Sequence, residues 1–214
     1  MIIKVCGLRE KANILAIDAL SIDLMGMIFY EKSPRFVEGN TEIIGDNPIT
    51  NTPKVGVFVN SPLEYVLEKI EKYKLQYIQL HGNESVDFVY NLHLEMKAKN
   101  IKIIKVFSID NQKDSKIDND FMSEYAPFCD YFLFDTKGTN HGGTGVKFNW
   151  QILENYQLKT PFLLSGGITA DDIAEIKNIQ HQQFVGIDIN SKFEIKAGLK
   201  DIEMIKNFIE NLKK

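Results

Sequence analysis

Acid–base chemistry needs one group that takes a proton and another that gives one. This sequence offers both beside glycines, Cys6 in KVCGL and Asp135 in FDTKGTNHGGTG. A thiol with pKa near 8.5 is only about 3% ionised at pH 7, a handicap of about 2 kcal/mol, so Cys6 is a useful base only where a cation or a helix N-terminus stabilises its thiolate. The plainer reading is a small buried packing residue. Asp135 can act as an acid where burial keeps its proton in place, or can simply hold a loop backbone. Gly166-Gly167 followed by Ile168-Thr169-Ala170-Asp171-Asp172 reads as a glycine turn and a helix start, whose bare N–H groups suit a phosphate shared with Asn190-Ser191. The alternative is a tight turn in which Asp171 or Asp172 supplies capping charge. Arg35, after Ser33-Pro34, offers a forked cation for a carboxylate, or an internal ion pair. His81 is either a packed, hydrogen-bonded residue or a group that meets substrate, and no second histidine stands at metal-ligand spacing from it, so no metal is expected.

These residues come together only if strands bring them to one place. Short apolar runs recur at Ile2–Val5, Met25–Tyr30, Lys54–Val59, Tyr77–Leu80, Ile101–Phe107, Tyr131–Phe134, Pro161–Leu164 and Phe184–Ile189. Between them run helical stripes such as Leu63, Val66, Leu67 and Ile70, and the chain closes on Ile202, Ile205, Ile209 and Leu212. Near-continuous apolar strands alternating with helices predict a parallel sheet buried on both faces. At about 27 residues per unit the spacing predicts an α/β fold, a compact (β/α)8 TIM barrel with its active site at the carboxyl ends of the strands. An open doubly wound sheet is the alternative, but KVCGL lacks a G-x-G-x-x-G fingerprint. The stretch 37–53, rich in Gly, Asn, Thr and Pro, predicts a missing or stunted second helix. Lys137 to Asn149, with Gly138, Gly142, Gly143 and Gly145, predicts a lid or an ordinary flexible loop. With no linker or low-complexity tract, residues 1–214 read as one domain.

Composition narrows the function classes. Lys plus Arg 25 against Asp plus Glu 29 gives a net charge of −4, which offers no general attraction for nucleic acid or anionic lipid. Two cysteines without C-x-x-C spacing exclude a disulfide framework and fit a reduced, cytoplasmic setting. No apolar run approaches a membrane span, and Met1-Ile2-Ile3-Lys4 leads into Arg9 and Glu10 without a signal-peptide core, so a soluble, unexported protein is expected.

Taken in order, KVCGL, FYEKSPRFV, KVGVFVN, YIQLHGNES, FDTKGTNHGGTG-x-x-FNW, LLSGGIT and GIDINSKFE-x-x-x-GLKD resemble the phosphoribosylanthranilate isomerase family over essentially the whole chain. The resemblance implies a cofactor-free Amadori rearrangement of a small phosphorylated substrate in tryptophan biosynthesis; a monomer is expected, with a homodimer the alternative. It further implies that Asp135 is the general acid and Cys6 the general base. Arg35 would be the partner of the anthranilate carboxylate, and Gly166, Gly167, Asn190 and Ser191 the phosphate site; His81, by its strand-end position, is expected as a further substrate contact. The family usually reads D-V-S-S-G after strand eight, where this chain has Asp188-Ile189-Asn190-Ser191-Lys192. Arg9-Glu10-Lys11 also replaces a Thr-containing start of helix one.

Rival readings make different demands. A pentose-phosphate epimerase wants metal-binding histidines at several strand ends, where only His81 of the four histidines is available, and an indoleglycerol-phosphate synthase wants lysines at strand ends in the mouth, whereas Lys105 lies inside strand five rather than clearly at its end. A catalytically silent barrel that binds a phosphorylated metabolite for regulation or scaffolding needs neither Cys6 nor Asp135.

Overall fold

The computed structural model describes residues 1–39, 48–110, 116–136 and 147–214. Eight parallel strands, β1 (Ile2–Val5), β2 (Leu24–Ile28), β3 (Lys54–Phe58), β4 (Tyr77–Leu80), β5 (Lys102–Ile109), β6 (Tyr131–Thr136), β7 (Phe162–Leu164) and β8 (Phe184–Ile189), follow one another around a closed ring. Closure is made by β1 against β8, with Lys4 opposite Asp188 and Val5 opposite Ile189. The α/β barrel read from the strand rhythm is therefore the fold.

Alternation along each strand divides the apolar residues between two cores. Leu24, Val55, Ile104, Val106, Leu133 and Leu163 fill the barrel, while Ile3, Val5 and Phe107 belong to the larger layer beneath the helices. That layer is covered by α1 (Lys11–Asp18), α2 (Leu63–Tyr73), α3 (Val86–Lys99), α4 (Asn119–Ser123), α5 (Ile173–Lys177) and α6 (Ile202–Lys213). Helix α2 buries Val66, Ile70 and Tyr73, and α6 buries Ile205, Phe208, Ile209 and Leu212, the faces their spacing predicts. Helix starts follow the short polar residues: Ser85 accepts from Phe88 N at 3.3 Å and Asp201 from Met204 N at 2.9 Å. Lys74 and Asn100 end α2 and α3 in the left-handed conformation.

Among the described residues there is no α-helix between β2 and β3, only a 3-10 turn at Val37–Gly39. Side chains from neighbouring helices pin both ends of this irregular unit. Glu38 accepts from Lys72 Nζ at 2.6 Å and Tyr73 Oη at 2.9 Å, and pairs with Lys69 Nζ at 2.8 Å. Burial would raise the Glu38 carboxyl, but these three donors outweigh it and hold it at about 2. Further along, Asp18 accepts from the backbone N–H groups of Asn51 and Thr52. The missing or stunted second helix expected over 37–53 falls largely on residues 40–47, which lie outside the described residues.

The helical layer thins in two other places that the sequence pattern did not reveal. Among the described residues after β6, only a 3-10 segment, Trp150–Asn155, precedes β7. Following β8 comes a 3-10 turn, Ser191–Phe193, and a small antiparallel hairpin of β9 (Glu194–Lys196) and β10 (Leu199–Lys200). Among the described residues no helix is long and apolar enough to cross a membrane.

Candidate active site

The carboxyl ends of the strands open into a cleft of about 780 Å³, counted out to solvent. All eight residues singled out in the sequence line it: Cys6, Arg35, His81, Asp135, Gly166, Gly167, Asn190 and Ser191. Ring order places Asp135 at the end of β6, the glycines after β7, Asn190-Ser191 after β8 and Cys6 just past β1. The acid and base candidates thus flank the two loops suited to a phosphate.

Cys6 is almost wholly buried, and Gly26 on β2 makes room for it. A Cβ at Gly26 would stand 2.6 Å from Cys6 Sγ. Burial pushes the thiol above its ordinary value, and Lys4 and Lys200 oppose the shift without cancelling it. Lys4 lies inside the barrel with its Nζ 2.9 Å from Asp188 Oδ2. Burial alone would lower the Lys4 ammonium, but the Asp188 carboxylate outweighs it and holds the lysine above its usual range. Lys4, from the strand that precedes Cys6, and Lys200 are thus the cations that act on the thiol, and burial outweighs both.

Asp135 is tied down at both oxygens. Its Oδ1 accepts from Thr136 N at 2.9 Å, and its Oδ2 stands 3.1 Å from His81 Nε2. Gln79 Nε2 lies 3.2 Å from His81 Nδ1, so an imidazole donating to Asp135 through Nε2–H uses Nδ1 to accept from the amide. His81 accordingly combines both readings: it is hydrogen-bonded in place and it faces the cleft.

Arg35 reaches the cleft already engaged. Its Nε and Nη2 make a forked pair with Glu194, the closest contact 2.7 Å. Glu194 in turn accepts from Lys200 Nζ at 2.7 Å, and Lys200 also donates to Asn190 Oδ1 at 2.7 Å. One buried network thus links Arg35 to the loop after β8. Burial and the neighbouring Glu194 act in opposite directions on Lys200, and burial prevails, lowering it.

The glycine turn shows both of its readings at once. Gly166 and Gly167 line the cleft with positive φ, 89° and 69°. Behind them Thr169 and Asp172 form a capping box, with Thr169 N donating to Asp172 Oδ2 at 2.7 Å, so Asp172 is the capping residue. Lys147 pairs with Asp172 at 2.6 Å, which lowers the aspartate against its burial. Of the lid expected over Lys137 to Asn149, residues 137–146 lie outside the described chain. A Cβ on Gly166 would press on Thr136 Oγ1 and stand 2.9 Å from Asp135 Oδ1. Gly166→Ala should therefore cut turnover by about a hundredfold by moving Asp135 and the glycine turn together, a loss steady-state kinetics would read directly. Unchanged kinetics would mean the turn has slack the contacts do not show.

Lys105 is not in the mouth. On β5, Ile104 and Val106 face the barrel interior while Lys105 points away, its Nζ bonded to Gly82 O at 2.8 Å and Glu84 Oε2 at 3.0 Å. That geometry removes the lysine a synthase reading would use. Among the described residues no group of three or more His, Cys, Asp or Glu side chains could hold a metal ion.

A family model for N-(5'-phosphoribosyl)anthranilate isomerase matches residues 3–211. The chain belongs to the phosphoribosylanthranilate isomerase family. Among relatives of this family, the N-(5'-phosphoribosyl)anthranilate isomerase of Parabacteroides distasonis is 46% identical, over 99% of this chain and 93% of its own. The crystal structure of phosphoribosyl anthranilate isomerase from Thermotoga maritima superposes with a TM-score of 0.77 at 29% identity, covering 100% of this chain and 99% of its own. Another phosphoribosyl anthranilate isomerase structure is a complex with reduced 1-(o-carboxyphenylamino)-1-deoxyribulose 5-phosphate. It superposes with a TM-score of 0.74 at 27% identity, covering 100% of this chain and 99% of its own.

The sequence pattern passed over Lys4, Gln79, Asp188, Glu194 and Lys200, which the isomerase-family barrel places in or directly behind the cleft. Their signal was nonetheless present. A lysine within IIKV and an aspartate within GIDIN are charges inside strands buried on both faces, and buried charges are kept in pairs.

Proposed function

We infer that the chain is an isomerase converting N-(5-phosphoribosyl)anthranilate to 1-(2-carboxyphenylamino)-1-deoxyribulose 5-phosphate, an aldose-to-ketose step of tryptophan biosynthesis. The observation that carries the residue assignment is the ring order of the mouth, with Asp135 and Cys6 on either side of the loops after β7 and β8. In this reading the phosphate is held by the backbone N–H groups of Gly166 and Gly167 with Asn190 and Ser191. Lys200 already occupies Asn190 Oδ1, so the donor half of that amide is left for the ligand.

Asp135 then gives its proton to the ribose ring oxygen, the ring C–O bond breaks, and the nitrogen lone pair closes a Schiff base. Cys6 thiolate takes the proton from the second sugar carbon, leaving an enolamine that tautomerises to the ketone. Anchoring the phosphate fixes that carbon between the two groups, replacing part of the entropic barrier with remote binding energy. Arg35 serves the anthranilate carboxylate through its Nη1 edge, since Nε and Nη2 are spent on Glu194. His81 orients Asp135.

Residues 1–214 act as one domain in this reading, as a monomer, with a homodimer the alternative that sedimentation distinguishes. The direct test is the decay of anthranilate fluorescence when purified protein meets freshly generated phosphoribosylanthranilate. Rapid enzyme-dependent decay is expected. No decay, with phosphate-ligand binding intact, would leave a silent metabolite-binding barrel.

A further inference from the structure

The hairpin after β8 has strands of three and two residues, too short to persist on pairing alone. It is fastened to α1 instead. Asn13 spends both halves of its buried amide on the backbone of Lys200, accepting from its N–H at 2.9 Å and donating to its carbonyl at 3.0 Å. The hairpin ladder then sets Lys200 opposite Glu194. The Lys200 side chain is wholly buried, and its ammonium meets three acceptors with its three N–H groups: Glu194 Oε1 and Asn190 Oδ1, both at 2.7 Å, and Asn190 O at 3.2 Å. No donor is left over for a ligand, and neither Lys200 nor Glu194 lines the cleft, whereas Asn190 does. An ammonium only donates, so it holds the Asn190 amide with the oxygen toward itself and the NH2 group turned away. The oxygen is also packed in place, since a Cβ on Gly7 would stand 2.7 Å from it. The amide nitrogen has no hydrogen-bond partner among the described residues and is not shut off from solvent.

We propose that Lys200 is a positioning residue for the phosphate end of the cleft: by holding Asn190 Oδ1 it presents the Asn190 amide N–H groups to a ligand's phosphate before any ligand arrives. The proposal rests on the isomerase reading only for placing a phosphate beside the loop after β8. Without Lys200 the amide is free to turn its oxygen outward, which exchanges a donor for an acceptor that repels an anion. The hairpin and its tie to Asn13 thus serve the site without touching substrate, by fixing where the ammonium sits.

The probe is D-ribose 5-phosphate, with binding measured calorimetrically on the whole protein. Asn190→Ala should weaken it about tenfold, the scale of one hydrogen bond to a charged group, and Lys200→Met should weaken it severalfold. The methionine keeps the apolar stem and leaves Glu194 to Arg35 and the Gly198 N–H. In the Asn190→Ala background the same change should add less than about twofold, because no amide remains to be turned. An unchanged affinity in Lys200→Met, or a loss as large in the Asn190→Ala background as in the wild type, would overturn the proposal; the second result would mean that the ammonium acts by charge alone. A readout on the unaltered protein covers the case in which Lys200→Met fails to fold. The side-chain amide resonances that vanish in Asn190→Ala should shift when the sugar phosphate binds the wild type. Resonances that stay in place, or a wild type that does not bind the sugar phosphate, would also overturn it. Isomerase activity with unmoved resonances would remove Lys200 from this role and leave the isomerase reading, whereas a failed isomerase assay with the shift and the cycle intact would do the reverse.

Discussion

Cys6→Ala and Asp135→Ala should each lower turnover at least about a hundredfold with the fold retained, the usual scale for losing a general base or acid. Cys6 carries the more distinctive consequence, because its environment sets the pH profile. The working form needs a thiolate at Cys6 and a proton on the carboxyl of the acid. Carboxylic acids as a class ionise before thiols, so this form is a minority species whose share stays level between the two ionisations. Above the thiol ionisation that share falls about tenfold per pH unit, as the acid's proton is lost while no further base is gained. Burial raises the Cys6 thiol above its ordinary value, and Lys4 and Lys200 only moderate the shift. The alkaline limb of kcat/KM should therefore lie above pH 9. An alkaline limb centred below pH 9 would mean that the lysines outweigh burial, or that another group is the base. Near-normal turnover in Cys6→Ala would remove the residue from its role altogether.

The parts of this molecule that were readable without coordinates are those governed by a repeat. Each apolar run of four or more residues became a strand within one or two residues of its predicted ends, because burial on both faces leaves no alternative pattern. Helices α2 and α6 followed from a full amphipathic stripe. What escaped is short or paired across long distances. Trp150–Asn155 is too brief to show a period, and the β9–β10 hairpin is stabilised by a local pairing that strands of three and two residues do not advertise. Site residues divide in the same way. Those at strand ends were named from their position, whereas Lys4 with Asp188, and Arg35 with Glu194, gain meaning only from partners 184 and 159 residues away. Arg35 is the instructive case. Its type invited a carboxylate, and the structure supplies one from its own chain before any ligand is considered.

Removing Glu84 should be the most damaging single change for stability, and its effect should reach the active site. The carboxylate is buried with Lys105 at 3.0 Å, and it also accepts from Asn60 N at 3.0 Å and from Gly82 N. Glu84→Ala leaves a buried ammonium with only carbonyl oxygens, those of Leu80, Gly82 and Val106, and strips two backbone N–H groups of their acceptor. Breaking one side of such a buried pair costs about 3–5 kcal/mol, a large share of the roughly 5–15 kcal/mol that holds a domain together. For a chain of this length that corresponds to a fall in Tm of roughly 10 °C. The same loop carries His81, whose backbone N–H bonds Phe58 O at 2.8 Å and whose ring holds Asp135, so turnover should fall with stability. Charge, rather than lost packing, is separable by a cycle: adding Lys105→Met to Glu84→Ala removes the stranded ammonium and should recover much of the loss in urea unfolding. If the double variant is as unstable as the single one, the cost lies instead in the bare N–H groups of Asn60 and Gly82, and the carboxylate's main work is to fold the β4 loop rather than to neutralise the lysine.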